Sequence, residues 1–164
     1  GEFDEKGSWA SSGKIIPKLL EVMLRDPFFR EQPPKSTGTD YFNLKWINKK
    51  ILEFGDVSSE DIQATLTELS AQVIFKELKD LKAEKKPIYL CGGGVHNWFL
   101  VKRLEELIEN QIFTTSEIGI DPDFIEACCF AWLAKERLKN TKFDLSKITG
   151  SNEEILLGEI WEVT

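Results

Sequence analysis

The spacing of apolar residues divides the chain into helical stretches and short breaks. Apolar side chains that recur three and four positions apart predict helices with one buried face. Ser58 with Asp61 three residues later is a typical start for the longest helix, and Asp121 before Pro122 is a typical start for the last one. The predicted helices cover residues 9–24, 41–52, 58–81, 97–108 and 122–138.

Short apolar runs predict strands on either side of the fourth helix. Residues 88–91 form such a run after Pro87, and residues 111–114 form another, so a strand-helix-strand unit is expected. A last strand is predicted over residues 155–161, with Gly158 as a bulge. The chain is therefore expected to be α/β, rich in helix, with a small sheet.

Two other stretches give specific expectations about packing. The helix over residues 122–138 is apolar on almost every side, which predicts that it is deeply packed. Residues 26–38 are rich in proline and polar side chains, and Phe28 and Phe29 are expected to hold this loop against the body of the protein.

Composition narrows the class of protein. A chain of 164 residues, 41% of them hydrophobic, can bury a core, so we expect one domain over residues 1–164. A net charge of −7 argues against a nucleic-acid partner, which requires clustered lysine and arginine. The apolar stretches are too short to cross a membrane and the N-terminus lacks a signal pattern, so we expect a cytoplasmic protein with no membrane partner.

The cysteines and the N-terminus add two smaller expectations. Cys91, Cys128 and Cys129 lack the spacing of metal ligands, and adjacent cysteines cannot easily bridge each other, so neither a metal site nor a disulfide is predicted. The chain begins in polar sequence without methionine, and residues 1–3 resemble a cloning remnant. We interpret the chain as a fragment.

The first candidate site is the glycine turn, residues 92–94, which follows a predicted buried strand. Gly92, Gly93 and Gly94 let the backbone approach a ligand without a Cβ in the way, and the next helix offers free N–H groups, which suits a nucleotide. The motif is neither a dinucleotide fingerprint nor a Walker loop, because the later residues that those motifs require are missing. A turn built only for tight packing is an equally good interpretation of the motif alone.

A second candidate is the loop that contains Lys35, Ser36, Thr37 and Gly38. It brings together a cation, two hydroxyls and a flexible hinge, which can meet a phosphate or a sugar hydroxyl. The alternative, favoured for this loop on its own, is an exposed turn whose serine and threonine cap a helix that begins near Asp40.

Two titratable residues lie near predicted helix starts. Glu126 is one turn into an otherwise apolar helix, where a buried carboxylate needs a partner such as a ligand hydroxyl. A surface-pointing or salt-bridged Glu126 is the alternative. His96, the single histidine, follows the glycines and could lie beside a base or phosphate, but lone histidines are more often structural. We assign it no catalytic role.

Six segments, taken in order, resemble the C-terminal part of the anhydro-N-acetylmuramic acid kinase family, within the actin and hexokinase superfamily. They are Trp-Ala-Ser-Ser-Gly-Lys at 9–14, residues 34–38 with Tyr-Phe-Asn at 41–43, residues 61–69, Cys-Gly-Gly-Gly at 91–94 with Asn97, Glu-Ala at 126–127 with Phe-Ala-Trp-Leu-Ala at 130–134, and Leu-Leu-Gly at 156–158. Each segment is weak evidence alone. The ordered set is specific, and it favours the nucleotide interpretation of the glycine turn.

The resemblance implies the ribonuclease H-like C-terminal lobe of an actin/hexokinase-type kinase, which is the ATP side of a two-lobed enzyme. Such an enzyme uses ATP and Mg²⁺ to hydrolyse the 1,6-anhydro bond of anhydro-N-acetylmuramic acid and to phosphorylate O6, in peptidoglycan recycling. By this resemblance Gly92, Gly93 and Gly94 would lie on the ATP side, Asn97 would begin the adjoining helix, and Glu126 would lie near the anhydro sugar. A homodimer is implied for the full-length protein.

The resemblance also implies which parts of the enzyme this chain lacks. The family's phosphate loop and the aspartate that activates water would precede Phe3, so no catalytic residue and no metal ligand are assigned here. A base must lie within hydrogen-bond reach of the water it activates, so we expect no kinase activity from this chain alone. Two alternatives stay open: a kinase for another anhydro sugar such as levoglucosan, and a non-catalytic, actin-like nucleotide-binding module.

Overall fold

The computed structural model describes residues 3–83 and 85–161 and shows a helix-rich α/β chain with two small sheets. The helices are α1 (Ser8–Ser12), α2 (Pro17–Leu24), α3 (Leu44–Ile51), α4 (Ser59–Asp80), α5 (Trp98–Leu107), α6 (Ile125–Leu138) and α7 (Ser146–Thr149). The strands are β1 (Ile88–Leu90), β2 (Ile112–Thr114), β3 (Lys142–Phe143) and β4 (Ile155–Leu156). The predicted α/β class is confirmed; residues 1 and 2 of the predicted cloning remnant lie outside the described residues.

The predicted strand-helix-strand unit is confirmed. β1 and β2 are parallel neighbours joined through α5, with Ile88 opposite Ile112. The unit packs on α4, and Ala71, Leu104 and Ile108 form the buried centre of this contact. Because parallel strands end at the same edge of a sheet, the turn after β1 lies at the edge where α/β proteins commonly bind ligands.

The central element is α4, on which α1, α2 and α5 pack. It begins as predicted, because the Ser58 hydroxyl accepts the N–H of Asp61 at 3.1 Å. Glu68 is 3% exposed on its buried face and pairs with Arg103 of α5, whose Nε lies 2.6 Å from the carboxylate. A buried carboxylate needs such a partner, so this ion pair fixes the two helices against each other.

The prediction of one helix over residues 9–24 is wrong, because α1 and α2 are separated by an extended link. Gly13 ends α1 with φ −94° and ψ 176°, and Pro17, the first residue of α2, disfavours helical backbone at Ile16. A Cβ at Gly13 would lie 2.1 Å from the backbone oxygen of Glu60. The apolar spacing continues across the link because Ile15 and Ile16 also pack on the core.

Side chains of α4 supply hydrogen bonds to the link between α1 and α2. The N–H of Lys14 donates to Asp61 Oδ1 at 2.6 Å, and the N–H of Ile16 donates to Thr65 Oγ1 at 3.0 Å. The Thr65 side chain is fully buried, and its hydroxyl donates to the Asp61 carbonyl at 2.7 Å. Two of the segments that carry the family resemblance, residues 9–14 and 61–69, therefore pack on each other.

This contact leads to a stability prediction. Thr65→Val should lower the free energy of unfolding by about 1–3 kcal/mol, because the partly buried N–H of Ile16 loses its acceptor. The matched control is Thr67→Val, since Thr67 is also buried on α4 but its hydroxyl donates within the helix, to Gln63. Urea denaturation compares the two variants, and equal losses would contradict the role of Thr65 in holding the link.

Aromatic rings hold the loop over residues 26–38, as predicted. Phe28 and Phe29 meet edge to face with ring centres 5.9 Å apart. Phe29 also stacks on Phe42 at 5.4 Å, and Phe28 contacts the ring of Tyr41 at 6.1 Å. Pairs at these distances add to the stabilisation that burial provides, so the loop has a defined position.

The helix predicted over residues 41–52 is shorter than expected, since α3 begins at Leu44. Asn43 caps it, and its Oδ1 accepts the N–H groups two and three residues later at 2.9 and 3.1 Å. The predicted start near Asp40 is therefore wrong. Ser36 and Thr37 are exposed and do not cap this helix.

The prediction of deep packing for the helix over residues 122–138 is wrong. Asp121 caps its first turn by accepting the N–H of Asp123 at 2.9 Å, as its sequence predicts. None of the residues of α6 is buried, however, and Phe130 and Trp132 are 70% and 48% exposed. The apolar composition predicted that other parts of the protein would cover this helix, and the described residues do not cover it.

The predicted strand over residues 155–161 is limited to the two residues of β4. It pairs antiparallel with β3, which was not predicted, and places Ile155 opposite Phe143. Gly158 follows the strand at φ +79° and is a turn residue rather than a bulge. Its carbonyl accepts a hydrogen bond from Arg137 Nε at 3.0 Å, which fixes the turn beside α6.

Candidate functional site

The glycine turn has open space where side chains would be. A Cβ built at Gly92, Gly93 or Gly94 meets no atom of the described residues within 4 Å. Gly92 has φ +76°, which favours glycine, but Gly93 and Gly94 do not have positive φ. Tight packing therefore does not explain the second and third glycines.

The turn continues as one 3-10 turn, Gly93–His96, that leads into α5. In such a turn the first N–H groups, here those of Gly93 and Gly94, have no partner within the helix. The open backbone and these donors lie at the end of β1, at the edge of the parallel pair where α/β proteins commonly bind ligands. This arrangement can receive a polar ligand against the backbone.

Asn97 stands at the start of α5, as expected, and has a structural role there. Its Oδ1 accepts the N–H of Leu100 at 3.0 Å and so caps α5. Gly7 packs directly on this side chain, since a Cβ at Gly7 would lie 2.1 Å from Asn97 Oδ1. The cap fixes Asn97 beside the glycine turn.

The structure brings the glycine turn together with the 3-10 turn Pro122–Phe124, which leads directly into α6; this turn and the first turn of α6 are called the start of α6 here. The N–H of Gly92 donates to the carbonyl of Pro122 at 2.9 Å. His96 Nε2 lies 2.8 and 3.0 Å from the two carboxylate oxygens of Asp123. Glu126 comes three residues after Asp123, in the first turn of α6. Two candidate parts of one site are therefore neighbours in the fold.

Glu126 itself is exposed, as is most of α6. The expectation that a buried helix would force this carboxylate to find a partner is therefore wrong, and the surface-pointing alternative describes its position. An exposed carboxylate three residues after Asp123 remains available to accept hydrogen bonds from a ligand hydroxyl.

The loop of Lys35 to Gly38 lies at another place on α4. Lys35 Nζ is 3.0 Å from the carboxylate of Glu77 and lies over the ring of Phe28 at 5.3 Å from its centre. Asn97 and Thr67 line a common cavity, and Glu77 is ten residues further along the helix, which is about 15 Å. The structure thus does not bring Lys35 together with the glycine turn.

The pair formed by His96 and Asp123 was missed by the sequence analysis. The two residues are 27 positions apart, and neither belongs to a motif whose spacing would have linked them. The signal that existed was weaker: a single histidine directly after the glycines and an aspartate directly after a helix-starting proline.

The described part of the chain, residues 3–83 and 85–161, offers neither a metal-binding cluster nor a membrane-spanning helix. This part of the chain contains no group of three or more His, Cys, Asp and Glu side chains arranged to hold a metal ion. None of its helices combines the length and the apolar composition that crossing a membrane requires. Cys91, Cys128 and Cys129 are free thiols, and all three are exposed.

The sequence matches one known family along nearly its whole length. The family model for anhydro-N-acetylmuramic acid kinase matches residues 1–163. A protein of that name from Actinobacillus pleuropneumoniae serotype 7 is 44% identical over 161 residues, which cover 97% of this chain and 44% of the relative. Similar values hold for proteins of that name from Coxiella burnetii (43% identity, 98% of this chain, 43% of the relative) and Pseudomonas syringae pv. tomato (42%, 97% and 44%).

The chain spans less than half the length of these curated relatives. Within that span the match includes the glycine turn, the start of α6 and the packed segments of α1 and α4. Because the family model matches residues 1–163, the family assignment does not depend on any single motif. The chain belongs to the anhydro-N-acetylmuramic acid kinase family.

Proposed function

We propose that this chain is the ATP-side portion of a kinase that hydrolyses the 1,6-anhydro bond of anhydro-N-acetylmuramic acid and phosphorylates O6. The product is N-acetylmuramic acid 6-phosphate, in peptidoglycan recycling. The observation that carries the proposal is the open glycine turn beside the start of α6, in a chain of this family. The proposal includes a single domain with the ribonuclease H-like fold of the C-terminal lobe of actin/hexokinase-type kinases.

The nucleotide side of the site is formed by Gly92, Gly93, Gly94 and Asn97. ATP fits the turn because a flat or phosphate-bearing group can approach a backbone that carries no side chains, and N–H groups are available as donors. When bound, ATP supplies the phosphoryl group. The residues of the turn bind and orient it, and the capped position of Asn97 keeps α5 fixed behind the turn.

The sugar side is formed at the start of α6. Glu126 accepts a hydrogen bond from a sugar hydroxyl and so orients the anhydro sugar toward the nucleotide side. The base that activates the attacking water must lie within hydrogen-bond reach of it, and we assign that base to the part of the relatives that this chain does not span.

Mg²⁺ belongs to the proposal as a companion of ATP. Magnesium in such sites usually keeps several waters and is bound through phosphates and one or two carboxylates. The described residues show no acidic cluster that would hold it alone. We assign its protein ligands to the part of the family's chain outside this one.

The loop of Lys35, Ser36, Thr37 and Gly38 remains a separate proposal for phosphate or sugar contact. Its three small residues are exposed and can reach a ligand. Lys35 would have to leave Glu77, so its contribution as a free cation requires a rearrangement of the loop.

Two further features support a larger protein around this chain. α6 exposes large apolar side chains, among them Phe130 and Trp132, and extended exposed apolar surface commonly marks an interaction site. The relatives are more than twice as long as the matched segment. A homodimer in the cytoplasm is part of the same proposal.

The turnover of the full-length protein tests the function. With ATP, Mg²⁺ and anhydro-N-acetylmuramic acid it should form the 6-phosphate, detected by mass spectrometry. The 164-residue chain alone should form no product above a blank without enzyme, because it carries no assigned base. Product from the chain alone would contradict this division of the site.

Two alternative functions give different results in the turnover assay and in calorimetry with ATP. A kinase for another anhydro sugar would phosphorylate levoglucosan in preference to the muramic sugar. A non-catalytic nucleotide-binding module would bind ATP in calorimetry and phosphorylate neither. The curated relatives carry the name of the muramic acid kinase, which favours the first outcome.

A further inference from the structure

We propose that His96 and Asp123 form a positioning contact that holds the glycine turn against the start of α6. The expected consequence is that ATP binds at a fixed place relative to Glu126. This consequence rests on the proposed function. Neither residue is proposed to touch the reacting atoms, so both are positioning residues.

The geometry defines the contact closely. His96 Nε2 lies 2.8 Å from Asp123 Oδ1 and 3.0 Å from Oδ2. A carboxylate can only accept hydrogen bonds, so Nε2 must carry the proton and donate it toward both oxygens. Asp123 is itself held, because its N–H donates to Asp121 Oδ1 at 2.9 Å in the cap of the first turn. The histidine is therefore tied to a fixed point.

The turn is attached at both ends. At its first residue, the N–H of Gly92 donates to the carbonyl of Pro122 at 2.9 Å. Four residues later, His96 meets Asp123, which is the next residue after Pro122. Two contacts to adjacent residues fix both the distance and the rotation of the turn, whereas the Gly92 contact alone would act as a hinge.

The open space around the glycines makes this attachment important. Side-chain positions at Gly92, Gly93 and Gly94 have no neighbours within 4 Å, so packing does not hold the outer side of the turn. Exposed polar contacts contribute little to global stability, and both side chains here are more than half exposed. The contact therefore acts locally. It orders the glycine turn and has little effect on the stability of the fold.

Hydrogen exchange of the 164-residue chain tests the structural part. His96→Ala and Asp123→Ala should speed exchange of the hydrogen-bonded amides of the turn, those of Gly92, Val95 and Asn97, by about threefold or more, because local opening becomes easier. His96→Gln should retain most of the protection, since its Nε2 can donate to Asp123 from a similar position. Asp80→Ala is the matched control. It breaks an exposed ion pair, with Lys76 at 2.9 Å, at the C-terminal end of α4.

Kinetics of the full-length kinase test the functional part. His96→Ala and Asp123→Ala should raise KM for ATP by about three- to tenfold and leave KM for the sugar nearly unchanged, and His96→Gln should restore most of the loss. Unchanged exchange in the turn, an unchanged KM for ATP, or a loss that His96→Gln does not rescue would overturn the proposal. If the wild-type kinase shows no turnover, the proposed function fails, and the exchange data still decide whether the contact orders the turn.

Discussion

Asp26→Ala should lower the free energy of unfolding by about 3–5 kcal/mol, the loss expected when one partner of a buried ion pair is removed. Asp26 is 3% exposed, and its carboxylate accepts hydrogen bonds from Tyr41 Oη at 2.7 Å and Trp46 Nε1 at 2.8 Å. Lys50 Nζ lies 3.1 Å away. One side chain therefore ties the loop over residues 26–38 to α3, and alanine leaves these donors without their acceptor.

Urea denaturation measures this loss, and Asp80→Ala provides the control. Asp80 also pairs with a lysine, Lys76 at 2.9 Å, but both side chains are at least half exposed. Pairs of that kind contribute about 0–1 kcal/mol. A loss for Asp26→Ala no larger than that for Asp80→Ala would show that the carboxylate is not the anchor that its contacts indicate.

The same carboxylate makes stability depend on pH. Burial alone would raise the pKa of Asp26, but hydrogen bonds from Trp46, Tyr41, Lys50 and the N–H of Phe28 outweigh it and lower the pKa from 3.8 to about 2. The folded state therefore binds this proton more weakly than the unfolded chain. The resulting stability, about 2 kcal/mol, is complete above the unfolded pKa and is lost as the pH falls from about 4 toward 2. Asp26→Ala should lack this part of the acid sensitivity.

The sequence predicts the elements whose causes are local. The cap at Ser58, the cap at Asp121 and the strand-helix-strand unit around the glycine turn were all predicted and are confirmed. The two caps, and each strand and helix of the unit, depend on residues close together in the sequence, which is the range over which spacing carries information. The break at Gly13 was not predicted although Pro17 signals it locally, because the apolar spacing continues across the link through Ile15 and Ile16.

Contacts between distant residues escaped the sequence analysis for a different reason. Asp26 meets Trp46 from 20 positions away, and Lys35 meets Glu77 from 42 positions away. The sequence shows that residue 35 is a lysine, but only the fold shows that the carboxylate of Glu77 pairs with it. Apolar composition likewise cannot show which surface covers a helix, and this is why α6 was expected to be buried.

The glycine turn combines both kinds of information. Its residue types indicated either a ligand or tight packing, and its position after a strand was predicted from local sequence. The structure removes the packing explanation for two of the three glycines, since a Cβ at Gly93 or Gly94 would meet no described atom within 4 Å. A substitution there can therefore separate the needs of the fold from those of a ligand.

Gly93→Val and Gly94→Val in the full-length kinase should raise KM for ATP by about tenfold or more, because the new side chain fills the space through which the nucleotide approaches the backbone. The melting temperature should change by no more than about 2 °C, since neither glycine has a positive φ and neither Cβ has a neighbour. Steady-state kinetics and calorimetry, carried out on the same preparations, give the two quantities.

Gly92→Ala provides the contrasting variant. Its φ of +76° strains any side chain, so the fold should lose about 1 kcal/mol of stability even without a ligand. If Gly93→Val and Gly94→Val also lower stability while ATP binding is retained, the turn serves packing after all. If both variants keep their stability and lose ATP, the second and third glycines are there for the nucleotide, because no contact within the described chain requires them.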